Sequence, residues 1–142
     1  MLYKYRFLGI GEELPTRKTV SAVFLIAFSD RKILSVRNER GWDIPGGHLE
    51  GDEDFLHGLR REVREEAGAL VKEAKPYGIL SSASSPKVML FFASDSLSLG
   101  AFVPSEDAFE RDLLEQEDLL SRYYGDRELL RAMIEEAARR LK

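Results

Sequence analysis

The chain has 142 residues, 44% of them hydrophobic, and a formal net charge of −4. That length and composition suit a single domain over residues 1–142 and exclude a chain that stays disordered. The acidic balance speaks against a broad basic nucleic-acid surface, and the lack of cysteine removes disulfides, thiolate zinc sites and thiol nucleophiles.

Zero cysteines also fit a reducing compartment such as the cytoplasm. No apolar run approaches the length of a membrane span, so no membrane partner is expected. The start, Met1-Leu2-Tyr3-Lys4-Tyr5-Arg6, mixes charge with aromatics and does not read as a signal peptide.

In chain order, residues 3–10 alternate loosely and predict an edge strand. Residues 20–28 are almost continuously apolar, the pattern of a strand covered on both faces. A turn at Ser29-Asp30-Arg31-Lys32 predicts an antiparallel return through residues 33–37. Pro45-Gly46-Gly47 breaks the chain, and a helix follows, capped at Asp52 or Gly51 and stopped by Gly68. Residues 77–80 form a short strand, the serine-rich residues 81–86 a loop, and residues 88–93 a second buried strand. Residues 94–105 are expected as loop, or as a weak strand through Ala101-Phe102-Val103. A short helix carries Leu119 and Leu120, and a longer amphipathic one spans residues 126–141. Interleaved strands and helices, with one antiparallel hairpin, predict an α/β fold with a mixed sheet between helices.

The first helix is the unusual element. With residues about 100° apart, Phe55, Leu56, Leu59, Val63 and Ala67 form one apolar stripe. Arg60, Arg64 and His57 fall opposite. Glu62, Glu65 and Glu66 lie along the border of the stripe, with Glu66 nearest to it. Partly buried carboxylates that repel one another either raise their pKa values or bind a cation. Gly58 shares that border, and a glycine inside a helix costs about 1 kcal/mol relative to alanine. A ligand or an approaching backbone would account for it.

Gly47, Glu53, Arg61, Glu62, Val63, Glu65, Glu66 and Gly68 match the Nudix box, the signature of the MutT-like Nudix hydrolases. Ala69 is smaller than the usual last residue, and Asp52 stands where many members have glycine, with Gly51 beside it. Trp42-Asp43-Ile44-Pro45-Gly46-Gly47 also resembles the family's entry to the box. The resemblance implies a Nudix fold, an α/β/α sandwich with a central mixed sheet and a loop–helix–loop that holds Mg²⁺ or Mn²⁺. It implies hydrolysis of the diphosphate linkage of a nucleotide, a nucleoside diphosphate joined to another group. By position Glu62, Glu65 and Glu66 resemble the metal ligands, Glu62 and Glu66 foremost, joined by the carbonyl of Gly47. Arg61 and Glu53 resemble the family's supporting ion pair. The general base comes either from the box, as Glu66 or Glu53, or from downstream, as Glu106 or Glu110.

Hard oxygen ligands suit Mg²⁺ or Mn²⁺ better than zinc, and such ions neutralise a diphosphate and acidify water. Beyond the box, Trp42 either stacks on a base or packs beneath the loop, and Arg37 and Lys87 are candidate phosphate contacts or plain surface cations. By family analogy the expected substrate is a nucleoside triphosphate, with oxidised forms included. The alternative is a Nudix-fold module that binds a nucleotide without cleaving it. The hairpin and first strand leave a homodimer open.

Overall fold

The computed structural model describes residues 3–142; Met1 and Leu2 lie outside them, and with them the start of the N-terminal run. The elements are β1 (Tyr3–Phe7), β2 (Val20–Ser29), β3 (Lys32–Asn38), β4 (Gly41–Asp43) and β5 (Gly46–His48). They continue with α1 (Phe55–Ala67), β6 (Ala69–Ser82), β7 (Ser85–Leu99), β8 (Glu110–Leu114), α2 (Gln116–Arg122) and α3 (Arg127–Arg140). A single 3₁₀ turn, Arg17–Thr19, leads into β2.

The sheet runs β1-β6-β7-β2-β3-β4, with β5 also on β2 and β8 on β3. The β2–β7 pair is parallel and the other strand pairs are antiparallel, so the sheet is mixed. β2 explains the arrangement. Its residues alternate between two cores because successive side chains leave a strand on opposite faces. Val23, Leu25 and Ala27 pack with Leu59, Val63 and Ala67 of α1. Ile26 packs with Leu119 and Leu120 of α2 and with Leu130, Met133, Ile134 and Ala137 of α3. Burying each large aliphatic side chain contributes roughly 1.5–3 kcal/mol, which holds both helical layers on the sheet. The result is the α/β/α sandwich that the resemblance implied.

Several boundaries differ from expectation: β1 ends at Phe7, β6 spans Ala69–Ser82 rather than residues 77–80, and β8 was not foreseen. The cap of α1 is Asp54, which accepts from the amide of His57, and the helix starts after Asp52 and Gly51. Residues 81–86 are two strand ends joined by a tight turn, where the hydroxyls of Ser82 and Ser84 lie 2.9 Å apart and Ser82 pairs with Ser85. β7 runs on to Leu99 because β6 lies beside it, Ala69 opposite Leu99. Gly68 makes that possible. Its φ of 62° turns the chain straight from α1 into β6, and a Cβ there would lie 2.3 Å from the carbonyl oxygen of Ala101. Residues 101–103 are not a strand.

Candidate active site

The site forms where β5 meets the last two turns of α1. β5 lies directly on β2, with Phe24 opposite Gly46 and Val23 opposite Gly47. A Cβ on Gly46 would sit 2.3 Å from the carbonyl oxygen of Val23, and the φ of 154° favours glycine as well. At Gly47 a Cβ would lie 2.5 Å from the Glu62 carboxylate. The missing Cβ at Gly46 thus lets β5 lie close on β2, and the missing Cβ at Gly47 lets Glu62 approach a bare backbone. The amide of Gly46 donates to Glu66 Oε1 at 3.2 Å. Gly58 has a related explanation, but neither a ligand nor a backbone supplies it. The side chains of Leu49 and Glu53 fill the place its Cβ would take, at 2.3 and 3.0 Å.

Arg61 gathers the other acids. Its side chain is only 11% exposed. Nη2 donates to Glu53 Oε1 at 2.7 Å and to the His48 carbonyl at 3.0 Å, and Nη1 donates to Glu62 at 2.9 Å and Glu65 at 3.2 Å. Glu50 lies 3.5 Å from Nε. The hydrogen bonds from Arg61 hold the Glu53 carboxyl down to about 2, so it stays ionised. Glu62 is pushed up by burial, against the pull of Arg61.

Glu66 has no such partner. Burial pushes its pKa up to about 8, and the nearby charges of Glu62, Asp43 and Asp107 add to the rise. The amide of Gly46 opposes this only in part. Glu66 opens on a cavity of about 490 Å³ that is also lined by Asp43, Glu106, Asp107, Arg40 and Tyr124. The Tyr124 hydroxyl donates to Asp43 Oδ2 at 2.6 Å, and the amide of Ile44 donates to Oδ1 at 2.7 Å. Burial raises the pKa of Asp43, and that of Tyr124 is pushed up to about 12, first by burial and then by Asp43. The Arg40 guanidinium lies 5.8 Å from the centre of the Tyr124 ring. A second cavity of about 260 Å³ shares Phe24, Asp43, Ile44 and Tyr124 with the first and adds Met89, Phe91 and Tyr123. Phe24 and Phe91 stack across its floor, 5.4 Å apart.

Gly47, Glu53, Arg61, Glu62 and Glu65 thus converge on one side of α1, with Glu66 beside them, and Glu106 lines the same cavity as Glu66 from the loop before β8. The remaining candidates lie elsewhere. Arg37 and Glu110 are cross-strand neighbours on β3 and β8 and form an ion pair, with Arg37 also over the Phe109 ring. Trp42 is 8% exposed and packs in the core beneath α2 and α3. Lys87 is exposed near the β6–β7 turn. Asp43, Asp107, Arg40 and Tyr124 were not singled out by sequence reasoning. Only the position of Asp43 within the entry to the box could have pointed to it.

The donor set fits a divalent cation by its chemistry. It offers hard carboxylate oxygens, and Glu66 is an acid raised by burial and like charge with no cationic partner. Among the described residues no three acids close into a ready cage, because Arg61 holds Glu62 and Glu65.

A NUDIX domain model matches residues 15–133 of the chain. The chain belongs to the Nudix hydrolase family. Human m7GpppN-mRNA hydrolase NUDT17 is 33% identical over 91 residues, which cover 55% of this chain and 28% of that protein. A MutT-like protein of Streptomyces ambofaciens is 34% identical over 80 residues, covering 55% of this chain and 52% of the relative. The match thus spans between 28% and 52% of the length of these relatives. Among solved structures, MutT from Aliivibrio salmonicida and Vibrio cholerae aligns with a TM-score of 0.64 at 18% identity, over 83% of this chain and 95% of that one. A Nitrosomonas europaea Nudix hydrolase aligns with a TM-score of 0.67 at 23% identity, over 81% of this chain and 69% of that one. At such identities the structures establish the Nudix fold. Among the described residues, no helix is long and apolar enough to cross a membrane.

Proposed function

We propose that this Nudix protein hydrolyses the diphosphate linkage of a nucleotide with the help of a divalent cation, Mg²⁺ or Mn²⁺, through attack of water at phosphorus. The observation that carries this reading is one cavity flanked by Glu66 and Glu106 and continuous with an aromatic cleft. Glu66, Glu62 and Glu65 would hold the cation, with the Gly47 carbonyl beside them. The cation supplies charge neutralisation for the diphosphate and Lewis acidity toward the attacking water.

The residues of this chain do the rest. Arg61 and Glu53 keep the carboxylates of α1 in place. The carboxylates of Glu53 and Glu110 are each occupied by an arginine. Glu106 is exposed on the cavity wall and free to take the proton from water. The cleft lined by Phe24, Phe91 and Tyr124 would offer a nucleoside an apolar surface, with Asp43 and Arg40 also lining it.

The test is a substrate panel with Mg²⁺ and with Mn²⁺. It includes nucleoside triphosphates, oxidised nucleoside triphosphates, dinucleotides and m7GpppN-capped RNA, the substrate class in the human relative's name. Turnover that needs the metal and falls by roughly a hundredfold or more in Glu106→Gln supports the reading. Tight nucleotide binding without turnover on any of them would establish the binding-module alternative instead.

A further inference from the structure

Arg17 lies outside the Nudix box, in the 3₁₀ turn before β2, yet its guanidinium is spent on the loop that introduces the box helix. Nε donates to the carbonyl of Glu53 at 2.6 Å, Nη2 to the carbonyl of Gly51 at 2.8 Å, and Nη1 to the carbonyl of Val20 at 3.3 Å. It forms no ion pair with a carboxylate among the described residues. The planar fork is used as a brace between three backbone carbonyls. A lysine, with a single compact donor head, cannot reproduce it. The turn that carries Arg17 is itself tied, since the Thr19 amide and hydroxyl both donate to the Thr16 carbonyl.

Glu53 is where this brace meets the site. Its carbonyl accepts from Arg17 while its carboxylate accepts from Arg61, at 2.7 and 3.2 Å. The same carboxylate takes the amide of Glu50 at 2.8 Å, closing the loop on itself. Two arginines thus hold one residue from opposite sides. The guanidinium of Arg61 that holds Glu53 also holds Glu62 and Glu65, which links the placement of the three carboxylates. Gly51, whose φ is 51°, lies within the braced segment, so without Arg17 the loop has a flexible point and loses the ties to its carbonyls at Gly51 and Glu53.

We propose that Arg17 is a positioning residue for the catalytic carboxylates, acting through Glu53 and Arg61. The inference rests on the reading of the site as a metal-dependent hydrolase, but its first test does not need substrate. In Arg17→Met and Arg17→Lys, hydrogen exchange at the Glu50 and Glu53 amides should speed up by roughly tenfold or more, as expected for losing charged hydrogen bonds, while β2 and β7 amides stay protected. Mn²⁺ affinity, measured without nucleotide, should fall severalfold in both variants. Where a substrate is in hand, kcat should fall with little change in KM, and Arg17→Met added to Glu53→Gln should cost far less than in the parent. Unchanged loop exchange and Mn²⁺ affinity would overturn the proposal, as would full additivity with Glu53→Gln. A missing substrate would sink the proposed reaction and leave the exchange result standing.

Discussion

Glu66→Gln is the most informative single change, because it separates the electrostatic cost of the site from its chemistry. In the metal-free fold the Glu66 carboxyl has a pKa of about 8, against 4.5 when unfolded. The folded protein therefore holds this proton more tightly than the unfolded chain does. Its contribution to stability is complete below pH 4.5 and is lost as pH rises through 8. A difference of this size amounts to at most about 5 kcal/mol. Glu66 is only half-buried, and solvent screening reduces the expected loss to about 2 kcal/mol. Glutamine keeps an oxygen for the Gly46 amide and carries no charge. At pH 8.5 with chelator, the variant should be more stable than the parent by about 2 kcal/mol, or roughly 6–8 °C in Tm; at pH 4.5 the two should coincide. Saturating Mg²⁺ should reverse the order. The parent gains about 2.7 kcal/mol at a cation concentration about a hundredfold above Kd, which exceeds the variant's lead, and the variant gains much less. Turnover should fall by several orders of magnitude with the fold intact. Thermal melts at the two pH values, with and without Mg²⁺, decide the matter. A variant no more stable than the parent at high pH without metal would mean that burial of the Glu66 carboxylate carries no cost.

Neighbouring glycines should fail differently. Gly46→Ala drives a Cβ into the Val23 backbone and should destabilise the fold by about 3 kcal/mol or more in urea melts. Gly47→Ala meets only the end of the Glu62 side chain and should keep near-parental stability while losing Mn²⁺ affinity. Arg61→Ala leaves Glu53, Glu62 and Glu65 without their shared cation and should cost about 3 kcal/mol by urea denaturation, with Arg61→Lys recovering little of it. Tyr124→Phe unties Asp43 and should cost about 1 kcal/mol while raising nucleotide KM more than it changes kcat, read from steady-state kinetics.

The parts legible in the sequence were those set by local pattern. The doubly buried β2, the apolar stripe of α1 and the stop at Gly68 each announce themselves within a few residues. What stayed hidden was decided across the chain. The serines after β6 read as loop, but pairing with β7 carries the strand to Ser82 and leaves only a tight turn. The cap of α1 is Asp54, whose carboxylate takes the His57 amide, and Glu53 just before it is held by two arginines, one of them 36 residues away. Arg37 and Glu110 looked like separate candidates, and the β3–β8 register joins them to each other instead. Tyr124 carries no local signal, and only the docking of the α2–α3 connection against β4 brings it to Asp43.

The placement of the acids along α1 has one more consequence. Glu65 and Glu66 sit in the last turn of a helix that ends at Ala67. There the aligned peptide dipoles present roughly half a negative charge, which repels carboxylates and attracts cations. The Arg111 guanidinium already answers part of that field by accepting the role of cap, donating to the carbonyls of Ala67 and Gly68. The backbone of α1 thus adds its own pull to that of the side chains. A cation arriving at Glu66 would be drawn by the helix as a whole, before any single oxygen had closed on it.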